Sequence, residues 1–185
     1  MWRLALAFVT LFGLSPVVHS VEKENRVVDG EPPARFDENI KALTAGMAKA
    51  KTLTLLEGLP HQMFEKAALD KELKDKKTVK QRDFPFYEGA ITPKADDAKA
   101  LIALFGDLKS FARYRGEKKC GGFHPDWLVE FKDGDDTYQA LVCFGCHEAR
   151  LYGPKNDVYA DLNGGMLEKL HAILGAQHKN RLKEK

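Results

Sequence analysis

All three cysteines of this 185-residue chain, and two of its six histidines, fall between Cys120 and His147. The stretch opens Cys120-Gly-Gly-Phe-His124 and closes Cys143-Phe-Gly-Cys146-His147. Thiolates and a neutral imidazole are what zinc takes in closed tetrahedral sites. Cys120, His124, Cys143 and Cys146 therefore form a candidate Cys₃His zinc centre. Gly121 and Gly122 let the first pair bend around an ion. The second pair needs a break in its strand, because residues three apart on a regular strand point to opposite faces. Gly145 is the residue that permits such a bulge or knuckle.

The same thiols support other chemistry. A disulfide from Cys120 to Cys143 or Cys146 would close a loop of roughly twenty-five residues, worth about 3 kcal/mol by the chain-entropy argument. Either pairing leaves one thiol over. Cys143 and Cys146 as a redox couple is a variant, but a strand lacks the helix N-terminus that lowers a thiol pKa. In a cysteine–histidine catalytic pair, Cys120 or Cys146 would be nucleophile and His124 or His147 base. Only Asp126 or Glu148 could orient that base, and no oxyanion-hole motif is visible. The sequence favours a protein that is not an enzyme.

Cys143-Phe-Gly-Cys146-His147 also resembles the haem-attachment motif of c-type cytochromes. The resemblance implies thioethers from Cys143 and Cys146 with His147 as axial ligand. Met166, His124 or His171 would stand opposite, in a mono-haem electron carrier. The flanks Gln-Ala-Leu-Val and Ala-Arg-Leu-Tyr are strand-like, whereas c-type domains are helical around the motif. Longer strings carry a second resemblance: Gly58-Leu-Pro-His61, Phe84-Pro-Phe-Tyr87, Cys120-Gly-Gly-Phe-His-Pro-Asp126 and Cys143-Phe-Gly-Cys-His-Glu148. Together they resemble an uncharacterised family of small exported bacterial proteins, over about residues 52 to 175. That resemblance implies export and a single domain, and it brings no activity.

Bringing the two halves of the cluster together requires a hairpin. Trp127–Phe131 and Thr137–Val142 are rich in aromatic and β-branched residues, with an Asp-Gly turn between them. Centring that turn near Gly134 sets Trp127 roughly opposite Val142. Cys120 and His124 then arrive beside Cys143, Cys146 and His147. Trp127, Phe131 and Tyr138 read as core and cross-strand packing.

Around the hairpin, Asp37 is placed to cap a helix running to about Lys49, with Ile40, Leu43 and Met47 inward. Thr52–Leu56 is a short strand. Pro60 starts a short helix whose apolar face carries Met63, Phe64, Ala67 and Ala68. His61 reads as a cap at that start. Residues 70 to 82 are a solvated, charged segment. Residues 79 to 91 read as extended chain, at a sheet edge because of Pro85. Thr92-Pro93 begins the clearest helix, closed near Gly106. Glu148–Tyr152 and Asp157–Leu162 are strands, and Asn163 caps a last helix ending at Gly175. This pattern predicts a single α+β domain over residues 37–176: a mostly antiparallel sheet with helices packed on one face.

Residues 1–20 have the charge, apolar run and small-residue exit of a signal peptide. Residues 21–36 read as a flexible leader, and 177–185 as a frayed basic tail. Signal removal takes away only Arg3, lowering the formal charge of +2 by one unit and leaving no integral membrane span. So balanced a chain has no electrostatic footprint for nucleic acid. The expected location is periplasmic or extracellular, where disulfides form. No partner can be read from the residues.

Overall fold

The structure, a computed structural model, describes residues 35–116 and 118–181. The expected signal, and the leader up to residue 34, lie outside the described residues. Helix α1 (Phe36–Met47) is followed by strand β1 (Thr52–Glu57), helix α2 (Lys66–Asp75), strands β2 (Thr78–Gln81) and β3 (Phe84–Tyr87), and helix α3 (Ala95–Gly106). Strands β4 (Phe111–Arg113), β5 (Trp127–Asp133), β6 (Asp136–Cys143), β7 (Glu148–Tyr152) and β8 (Asp157–Leu162) precede the last helix, α4 (Gly164–Gly175). The main sheet is antiparallel throughout, in the order β1-β5-β6-β7-β8-β4, and β2 and β3 form a separate pair. The α+β architecture expected from the sequence is the one observed.

The β5–β6 hairpin has the expected register, with Trp127 opposite Val142 and Phe131 opposite Tyr138. Alternation along these strands feeds two cores. Trp127, Val129, Phe131, Ala140 and Val142 join Phe36, Ile40, Leu43 and Met47 of α1, Leu101 and Phe105 of α3, and Met166, Leu170 and Leu174 of α4. Leu128, Leu141 and Cys143 point the other way, against Phe86, Tyr114, Phe123, Cys146 and Tyr159. Helices α1, α3 and α4 thus cover one face. The β2–β3 pair and the loop before β5 cover the other. Cys143 and Cys146 belong to this second core, and Cys120 packs against it.

Several local expectations are corrected. Helix α1 starts at Phe36, which is buried in the main core, so that residue is not part of a leader. Asp37 makes no cap bond; it lies in the first turn and pairs with Arg113 of β4. Asn163 stands at the N-cap position, but its side chain donates to the Lys109 carbonyl instead. The helix expected from Pro60 begins only at Lys66, buries no residue, and leaves Met63 63% and Phe64 66% exposed. Its exposed face is held by the i,i+4 pairs Lys66–Asp70 and Lys71–Asp75 instead of by packing. The extended run over 79–91 is interrupted by a turn at Arg82 and Asp83, both with positive φ.

Strand β1 runs straight into the functional region. Gly58, just past its end, donates its N–H to the Asp126 carbonyl at 2.8 Å. A Cβ at this position would lie 2.1 Å from the Pro125 carbonyl oxygen, a backbone atom that cannot swing aside. Gly58→Ala is therefore expected to cost about 1–3 kcal/mol, as overpacking does. Urea denaturation measures it; unchanged stability would mean that β1 and the 120–126 loop are not packed this closely. Along its outer edge, β1 exchanges two N–H···O bonds of 2.8 Å between Leu55 and Ile91, and Gly58 bridges Phe86.

Candidate functional site

The site is built where two backbone features meet. Strand β6 ends at Cys143, residues 144–147 form the turn, and β7 starts at Glu148, directly opposite Cys143. Gly145 sits inside this turn, so the strand breaks as the zinc reading required. Within the turn the Cys146 N–H donates back to Cys143 Sγ at 3.3 Å. His147 takes φ 57°, a left-handed conformation uncommon outside glycine. The second feature is the loop leading into β5. Lys118 Nζ anchors it, donating to Glu148 Oε1 at 2.7 Å and Asp161 Oδ1 at 2.5 Å. Gly121 and Gly122 then turn the chain with φ of +81° and +88°. Phe123 packs edge-on against Tyr159, and Cys120 reaches the hairpin turn.

There Cys120 and Cys146 form a disulfide, with their Cα atoms 5.5 Å apart. Cys143 remains a buried thiol. Burial pushes that thiol up to about 11, although the backbone N–H groups of His124 and Cys146 both favour its thiolate. His124 is buried as well, and burial holds its imidazole below the ordinary range. Its Nε2 has no hydrogen-bond partner among the described residues, and Asp126 Oδ1 stands 4.0 Å away. The hairpin has thus brought Cys120, His124, Cys143 and Cys146 together, as the spacing predicted. In this oxidised state the four cannot all ligate zinc, because Cys120 and Cys146 are bonded to each other. Disulfide sulfurs are not thiolates, and no three His, Cys, Asp or Glu side chains converge as ligands among the described residues.

The haem donors do not fit. Cys146 is already bonded to Cys120, Cys143 is buried in a core, and His147 points outward from a β-turn in place of a helix. Both acids named for a cysteine–histidine catalytic pair are engaged by other partners. Asp126 accepts the Phe144 N–H at 2.8 Å and Arg181 at 3.1 Å. Glu148 is taken up by Lys118 and by the Tyr159 hydroxyl.

In front of the disulfide lies a cleft of about 800 Å³, lined by His61, Phe64, His124, Phe144, His171 and Arg181 among others. His61 caps its own turn, with Nδ1 accepting the N–H groups of Met63 and Phe64. That fixes the neutral ring as the Nε2–H tautomer, and this N–H has no partner among the described residues. The His61 and His124 rings lie 4.7 Å apart, and His171 stacks on Phe144 at 3.8 Å.

The third wall of the cleft is one that sequence reasoning missed. Residues 177–181, expected as part of a frayed tail, fold back along it. Glu57, 1% exposed, accepts the backbone N–H groups of Lys179, Asn180 and Arg181, the Asn180 side chain, and a 2.7 Å contact from His178 Nδ1. Arg181 then pairs with Asp126 and Glu65, both at 3.1 Å. The one signal available was Glu57 itself, a carboxylate closing the apolar strand Leu53-Thr-Leu-Leu-Glu57.

No protein-family model, curated protein or solved structure matches the chain. The resemblances drawn above therefore rest on their motif residues alone. Among the described residues no helix is long and apolar enough to cross a membrane.

Proposed function

We propose that this protein is an exported domain, periplasmic or extracellular, in which the Cys/His cluster acts as a redox-dependent staple beside a binding cleft. It is a binding or interaction module and not an enzyme. The observation that carries this reading is the Cys120–Cys146 bond, which ties the 118–126 loop to the β6–β7 turn at the cleft wall. Such bonds persist in oxidising compartments and are rare where glutathione and thioredoxin keep thiols reduced. Reduction frees one end of the loop, so the shape of the cleft is coupled to the redox state of its surroundings.

Thiol counting tests the reading. Protein purified without reductant and unfolded in denaturant is expected to titrate one thiol, Cys143, and all three cysteines after reduction. Peptide mapping should recover Cys120 joined to Cys146. Three thiols without reductant would remove the staple.

A further inference from the structure

Resting on the reading of Cys120–Cys146 as a reducible bond, we propose that reduction converts the staple into a tetrahedral zinc-type site made by Cys120, Cys143, Cys146 and His124. Disulfide and metal centre are then two exclusive states of one cluster.

Three observations lead to this. The first is position: the disulfide places two sulfurs together, and the Cys143 sulfur lies against the backbone of both Cys146 and His124. Opening one S–S bond therefore leaves three thiols on two adjoining loops. The second is the hydrogen bonding at Cys143. Two backbone N–H groups aimed at one sulfur suit a thiolate ligand, since outer-shell donors of this kind orient and stabilise metal-bound groups. A buried, protonated thiol makes little use of two donors. The third is independent of the cysteines. His124 Nε2 is buried, with its side chain 9% exposed, and no hydrogen bond satisfies it among the described residues. A buried imidazole nitrogen without a partner is costly unless something binds it. The glycine-bent 120–124 loop and the hairpin turn supply two flexible short pairs, C-x₃-H and C-x₂-C, of the kind that grip opposite edges of a tetrahedral ion.

The interconversion balances with a dithiol as reductant. Its thiolate attacks Cys120 Sγ, the more exposed of the two bonded sulfurs. The S–S bond breaks and Cys146 leaves as thiolate. The second thiol of the reductant then attacks the mixed disulfide, expels Cys120 as thiolate, and carries two electrons' worth of oxidation away as its own disulfide. Binding one divalent ion holds all three cysteines as thiolates, and their protons go to solvent.

Cobalt(II) titration of the purified protein is the test, because thiolate-to-cobalt charge transfer and tetrahedral visible bands report the ligand set directly. Anaerobically reduced protein is expected to bind about one equivalent with both signatures, and the oxidised protein none. Cys143→Ser should remove part of the charge-transfer intensity, and His124→Gln should weaken binding at least about tenfold. If Cys143→Ser fails to fold, His124→Gln carries the test. Reduced protein without a charge-transfer band, or with the same affinity after His124→Gln, overturns the proposal. Thiol counting on the same sample separates the two readings. One thiol before reduction and three after, with no cobalt bound, sinks only the metal state; three thiols at the outset sink the staple.

Discussion

Under oxidising conditions, Cys120→Ser is expected to lower unfolding stability by about 3 kcal/mol, and Cys146→Ser by the same amount. Cys120 and Cys146 are 26 residues apart, and cross-linking them removes loop-closure entropy from the unfolded chain on that scale. The equality of the two variants is the sharper part of the expectation. Each breaks one bond, yet Cys146 is 2% exposed and Cys120 sits on an outer loop. If packing dominated, Cys146→Ser would cost more. Chemical denaturation of the two variants and of wild type, with and without reductant, decides it. Wild type with reductant should fall to the level of the variants. A Cys120→Ser protein as stable as oxidised wild type would show that the bond contributes nothing to folding.

Glu57→Gln is expected to cost a similar amount, about 3 kcal/mol, and to release the C-terminal segment. Burial alone would raise this carboxyl. The donors arriving from Arg181, His178 and Asn180 outweigh burial and hold it below the ordinary carboxylate range. Hydrogen bonds to a buried charge are the strong ones, and removing the charge leaves several donors facing a neutral amide. The sign of the pH dependence follows. The folded-state value is depressed, so the contribution is complete above the unfolded carboxylate range and is lost as pH falls through the lower folded value. Wild type should therefore lose stability toward acid more steeply than Glu57→Gln. Amide exchange gives the local readout: Lys179, Asn180 and Arg181 should be protected in wild type and exchange freely in the variant. Equal protection in both would show that Glu57 does not hold the segment.

These two clamps differ in how far they could be read from the chain. The hairpin that gathers the cysteines is a local feature. Alternating large residues on both sides of Asp133-Gly134 specify strands and turn, and Trp127 opposite Val142 follows from counting. The pairing of cysteines does not follow, because Cys120 reaches the same place whether it meets zinc, Cys143 or Cys146. The choice depends on redox state and on how the 144–147 turn aims Cys146. The C-terminal strap left no local trace at all. Gln177–Arg181 is short and polar, and the residue that holds it lies more than a hundred positions earlier. Asp37 and Asn163 illustrate the same point at smaller scale. Both had the chemistry of helix caps, and both were drawn to tertiary partners, Arg113 and Lys109.

The way the main sheet stops has a bearing on how this protein avoids joining its neighbours. A sheet ends in rows of amide groups that can recruit any extended neighbour, and such recruitment grows into fibres. Here one margin, β4, is only three residues long and ends in Arg113. The other, along β1, is already occupied by Ile91 and Phe86. Among the described residues an incoming peptide finds no long template on either flank, so resistance to edge-to-edge pairing is written into the outline of the sheet.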